Sequence, residues 1–204
     1  MANANRPSGL NPYRYLNGNP WTGQMNVYYI PSTDTNAYAI GDPVKTLTGA
    51  ADVNGTPAVT IAVAGNSQPI RGVIVTMGGE TEGSLYGDWQ NLNTIVIPAT
   101  KTYGYYVGVA DDSDLLFWVQ EFSGTGSTNF TAADISKNVN LKAGTNNSYV
   151  SGWVLDDTAA SATTSTYQMK LFGIVRTPDN QFGNYCKFVA RINNHELNAG
   201  TAGV

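Results

Sequence analysis

From Met25 onward, apolar residues either alternate with polar ones or run together for a few positions and then break. This pattern predicts β-strands over residues 25–30, 43–47, 58–63, 70–77, 94–97, 104–109, 115–121, 148–155, 167–175 and 185–192. Each run is rich in Val, Ile, Tyr, Phe and Thr, which suit a pleated surface, and is bounded by turn residues. Turn chemistry is explicit at Asn54-Gly55, Gly78-Gly79, Pro178-Asp179-Asn180 and around 124–126. No segment keeps apolar residues at helical spacing over three turns. The one helix candidate is 132–137, opened by Thr131 as N-cap with Asp134 three residues on. The pattern predicts an all-β protein, a small β-barrel or sandwich body.

Residues 1–24 differ from this body. They carry Pro7, Pro12 and Pro20, which forbid a helix and favour extended backbone. Yet Leu10, Tyr13, Tyr15, Leu16 and Trp21 are too hydrophobic for a solvated tail. Two readings stand: a strap on the protein's own body, or an extended arm docked on a neighbouring subunit. In the second, Leu10, Tyr13, Leu16 and Trp21 are the anchors, and Arg6 and Arg14 steer toward acidic groups. The uncharged Gly/Ser/Thr stretch 123–129 marks a further break. It would separate a barrel or half-sandwich (25–122) from a second β piece packed on it (123–197), ahead of a flexible tail (198–204). One continuous domain fits the same pattern.

Composition sharpens the picture. Charged residues are only 13% of the 204, and polarity rests on 22 Thr and 21 Asn. A surface with so few charges is poorly protected against association: either the chain associates by design, as a homo-oligomer (trimer or dimer), or its surface favours stability over solubility. Net charge is −4, which argues against a nucleic-acid partner. Eight of the acids fall within 72–136 (Glu80, Glu82, Asp88, Asp111, Asp112, Asp114, Glu121, Asp134) against Lys101 alone. No acid precedes Asp34, so a cationic arm leads into an acidic middle. No stretch approaches the ~18 apolar residues of a membrane span, so no membrane partner is expected. The opening residues carry no apolar targeting segment, and synthesis in the cytoplasm is expected.

Candidate chemistry is sparse. His195 is the sole histidine and lies near a Gly/Ala-rich end that would ordinarily fray. Cys186 is the sole cysteine, in a strand-like run where a buried thiol is expected. One of each cannot furnish a His/Cys metal site, and Asp111-Asp112-Ser113-Asp114 lacks the glycine and terminal glutamate of a calcium loop. No phosphate-cradling glycine loop occurs. These residues predict no enzyme, no metal and no cofactor.

Several segments carry a resemblance. They include the opening Met1-Ala2-Asn3-Ala4-Asn5-Arg6-Pro7, Tyr15-Leu16-Asn17-Gly18, Gly41-Asp42-Pro43-Val44-Lys45, Arg71-Gly72-Val73-Ile74-Val75, Tyr106-Val107-Gly108-Val109-Ala110-Asp111-Asp112 and Ile192-Asn193-Asn194-His195-Glu196-Leu197. Through them the chain resembles a family of tailed-phage virion structural proteins encoded beside the major capsid protein. The Gly41 and Arg71 segments are also similar to small β-barrel cement (decoration) proteins. The resemblance implies a non-catalytic protein on the capsid surface that binds the major capsid protein and stabilises the shell. A tail-tube or head–tail connector subunit is the second reading. A third is a carbohydrate-binding module using Trp21, Trp89, Trp118 and Trp153, of which Trp118 and Trp153 read as core and Trp89 as exposed.

Overall fold

The computed structural model describes residues 3–80, 94–147 and 149–203. Among them the chain is all-β, with fourteen strands and a single 3-10 turn. Five strands close a barrel: β2 (Asn26–Ile30), β4 (Pro43–Ala51), β5 (Pro57–Ile61), β6 (Gly72–Glu80) and β8 (Tyr105–Ala110), in the order β2-β5-β4-β6-β8. Only the β2–β5 seam is parallel. Five more form an antiparallel sheet in the order β1-β9-β14-β13-β10: β1 (Asn11–Tyr15), β9 (Leu115–Gln120), β14 (Lys187–Ile192), β13 (Met169–Ile174) and β10 (Asn138–Val139). Two short pairs complete the fold, β3 (Tyr38–Ala39) with β7 (Val96–Ile97) and β11 (Leu141–Lys142) with β12 (Val154–Leu155).

All ten sequence-predicted strands overlap observed ones, though 94–97 and 148–155 shrink to two residues each. The 132–137 helix candidate is a 3-10 turn over Ala132–Asp134, with the reciprocal Thr131/Asp134 capping bonds in place. Three residues are too few to sustain an α-helical ladder, and the next residue, Ile135, is already extended.

The expected break at 123–129 does not separate two units. β9 precedes it, yet pairs with β14 along Lys187↔Gln120 to Arg191↔Leu116. One core cluster also spans the break: Ile70, Val73 and Ala110 from the barrel pack with Phe117, Leu171, Phe188 and Ile192 from the sheet. A second cluster, including Ile30, Val44, Val59, Ile74, Val107 and Val109, fills the barrel. Half-buried Ile61 touches both clusters. The chain passes from the barrel to the sheet through the short connection between β8 and β9, which belong to different sheets.

Candidate partner-binding surface

The N-terminal segment lies on its own body, which corrects the expectation of an arm held by a neighbour. Leu10, proposed as an anchor, is 0% exposed inside the main core and its N–H donates to Gly41 O at 3.0 Å. The crossing is close. Gly9 has φ +65°, and a Cβ there would overlap Gly41 O and the Ser151 side chain. Gly41 N in turn donates to Ile74 O and Ser151 N to Ile40 O, so arm, barrel and C-terminal half meet at one point. From there β1 pairs with β9 from Asn11↔Trp118 to Tyr15↔Leu115, with a bulge between Pro12 and Arg14.

The remaining arm residues face outward to different degrees. Tyr13 and Leu16 are each 40% exposed, and Trp21 is half-buried against the main core with its Nε1 donating to Gln24 O. Arg6 and Arg14 are exposed, and the Arg14 guanidinium sits 5.5 Å from the centre of the Tyr13 ring. Tyr13 leans on Trp118, ring centres 5.1 Å apart. The two rings, with Ser8, Asn11, Gln120 and Lys187, line a groove of about 390 Å³. Trp118 is therefore not in the main core as its apolar run implied. Residues 115, 117 and 119 point into that core, while Leu116, Trp118, Val175 and Val189 form a small cluster on the opposite face. Trp153 is buried as expected, and Trp89 lies outside the described residues.

Both free edges of this sheet are blunted. The chain turns back after β1, so that Pro20 bridges Arg14 and Trp21 N donates to Tyr13 O. At the far edge Asn138 exchanges both backbone bonds with Ala162, and its side-chain amide donates to Thr164 O and Thr201 O. Covered edges resist strand-to-strand association, so partners must meet faces.

The acidic middle is not an acidic face. Asp111 is buried and committed to Arg71 (3.3 Å), to the Tyr28 hydroxyl (2.6 Å) and to Asn26 Nδ2 (2.8 Å). Glu121 is 0% exposed, accepting from Phe130 N and Cys186 N. Asp134 holds Thr131, Ser161 and Lys137. Asp112 and Asp114 are exposed, and Asp114 lies 3.6 Å from Arg191. Glu82 and Asp88 lie outside the described residues. Among the described residues Asp111, Glu121 and Asp134 are thus spent on internal bonds, which their spacing in sequence does not reveal.

His195 and Cys186 are both buried. His195 does not fray: it forms a parallel bridge with Ile70, and its Nδ1 accepts from Leu197 N. Burial and the nearby Arg71 lower its pKa, which keeps the ring neutral. Burial, and then the Glu121 carboxyl, push the Cys186 thiol up to about 12. A maleimide at pH 7 is therefore expected to leave Cys186 unmodified in the native protein and to label it once urea unfolds the chain; rapid native labelling would contradict this burial. Among the described residues no three His, Cys, Asp or Glu side chains gather as a metal site.

Comparison with protein-family models, with curated proteins and with solved structures finds no match for this chain.

Proposed function

We propose that this protein is a non-catalytic structural component of a tailed-phage virion, a cement protein that binds the major capsid protein and stabilises the shell. One observation carries the reading. The two segments similar to cement proteins, Gly41-Asp42-Pro43-Val44-Lys45 and Arg71-Gly72-Val73-Ile74-Val75, pair directly through Pro43↔Val73 and Val44↔Gly72 as neighbouring strands of a closed five-stranded barrel. A closed barrel suits the task, because it has no free edge along which copies could pair at random. Packaged DNA pushes a shell outward, and a rigid body that spans seams between capsomers adds buried area where the shell is weakest. Many copies on one particle make weak individual sites avid. Self-association into a dimer or trimer would then run through the faces of the body, since its sheet edges are covered.

The test is quantitative mass spectrometry of purified virions. A copy number comparable with that of the major capsid protein supports the reading. A single ring's worth of copies assigns the chain to a connector, and its absence from the particle overturns the proposal.

A further inference from the structure

The outer face of the five-stranded sheet is basic and aromatic on a chain that is acidic overall. Register fixes which side chains share this face, because directly paired residues project to the same side. Trp118 pairs with Asn11 and Val189, Leu116 with Arg14 and Arg191, Gln120 with Lys187, and Arg191 with Lys170. None of these register positions is acidic, and four are cationic: Arg14, Lys170, Lys187 and Arg191. Arg14 is exposed, and the other three are partly exposed. Phe172, at the bulge of β13, adds an exposed ring, and Tyr13 with Trp118 forms the groove beside Lys187. Behind this face Trp118 Nε1 and Arg191 Nε are buried and have no acceptor among the described residues.

We propose that this face docks an acidic surface of a partner protein, and so is the side that meets the shell; the identity of that partner rests on the capsid-binding reading. Charge complementarity selects the chemistry, since carboxylates would meet four cations around an aromatic centre of the kind that anchors protein interfaces. Single-stranded nucleic acid fits less well. The Trp118 ring is already covered by Tyr13, so it offers a base no open platform. Asp114 pairs with Arg191, which leaves Arg14, Lys170 and Lys187 as the cations of this face in no ion pair among the described residues.

The test uses Arg14→Glu/Lys187→Glu, which reverses two cations that hold no ion pair among the described residues, with Lys45→Glu on the barrel as control. Binding is measured to DNA-free expanded shells of the phage that encodes the chain, and each fold is checked by circular dichroism and melting. The double variant is expected to bind at least about tenfold more weakly, the control as the unmodified protein does, and both to keep the native spectrum. Should the double variant not fold, Lys187→Glu alone carries the test. Unchanged shell binding by the variant overturns the assignment of the face while leaving the capsid reading intact. Failure of the unmodified protein to bind shells overturns the capsid reading instead, and two soluble probes then decide the face. Tryptophan quenching by polyglutamate that is lost in the variant supports an acidic protein partner. Preference for oligothymidylate, or binding of neither probe, overturns it.

Discussion

Removal of residues 1–24 will leave a chain that does not reach the native state. The deleted segment carries Leu10, a fully buried member of the main core, and the whole of β1, an outer strand of the sheet. Losing the Leu10 side chain alone, as Leu10→Ala, should cost ~2–5 kcal/mol, because the surrounding backbone crossing cannot collapse into the space. Gly9→Ala should be comparably damaging, since φ +65° and the overlap with Gly41 O both oppose a side chain. Deletion adds the lost β1–β9 bonds and uncovers the Trp118 face. Against a typical total of ~5–15 kcal/mol, the sum is enough to unfold the body. Leu16→Ala, at an exposed position, should stay within about 0.5 kcal/mol of the unmodified protein. Urea unfolding of the three point variants and far-ultraviolet dichroism of the truncation check this. A truncated body with a full cooperative transition would show that the segment is dispensable.

Stability is expected to fall as pH rises from 4.5 to 7, an unusual direction set by Glu121. Its carboxyl is pushed from 4.5 up to about 7, first by burial and then by Asp157 and Asp134, against the opposing bonds from Phe130 N and Cys186 N. Between those two values the unfolded chain has released the proton and the folded chain still holds it. Folding therefore loses up to about 3 kcal/mol across the interval, at ~1.36 kcal/mol per unit. Asp42 and Asp157, also raised by burial, act in the same sense. Asp34, Asp52 and Asp134 are lowered by hydrogen bonds, so their contribution is present above the usual 3.8 and is lost only as pH falls below it. His195, whose pKa burial lowers, acts in the opposite sense as pH falls below 6.5, so the Glu121 contribution is isolated by comparison with Glu121→Gln. Between pH 5 and pH 8 the unmodified protein should lose up to about 3 kcal/mol more stability in urea titrations than Glu121→Gln does. The same pH dependence in the two proteins would rule this role out.

The candidate surface was legible only in part. Tyr13, Leu16 and Arg14 were singled out because hydrophobic and cationic residues in a proline-rich segment need a partner, and all three are exposed. Trp118 was hidden because Leu115-Leu116-Phe117-Trp118-Val119 is apolar at every position, which hides the alternation that tells one face from the other. Lys187 and Arg191 lie four apart in one predicted strand, where alternation puts them on one face, but Lys170 and Arg14 join them only through strand register.

By itself the sequence determined ten of the fourteen strands and left out β1 and the two-residue β3, β10 and β11. Period-two patterning, β-branched and aromatic content and turn residues act over a few positions, so their information is local and every predicted strand proved real. β1 escaped because Asn11, Pro12 and Arg14 break the apolar pattern of a strand held mainly by its pairing with β9. Only the tertiary structure decided which strands share a sheet, that the N-terminal segment belongs to its own core, and that the terminal His195 is docked beside Ile70. Those outcomes depend on bonds between residues such as Leu10 and Gly41, or Ile70 and Glu196, whose separation along the chain leaves no periodic trace. The same holds for charge: Asp111 and Glu121 are surface acids by composition and buried acceptors by fold, because only folding brings Tyr28, Arg71, Phe130 and Cys186 to them.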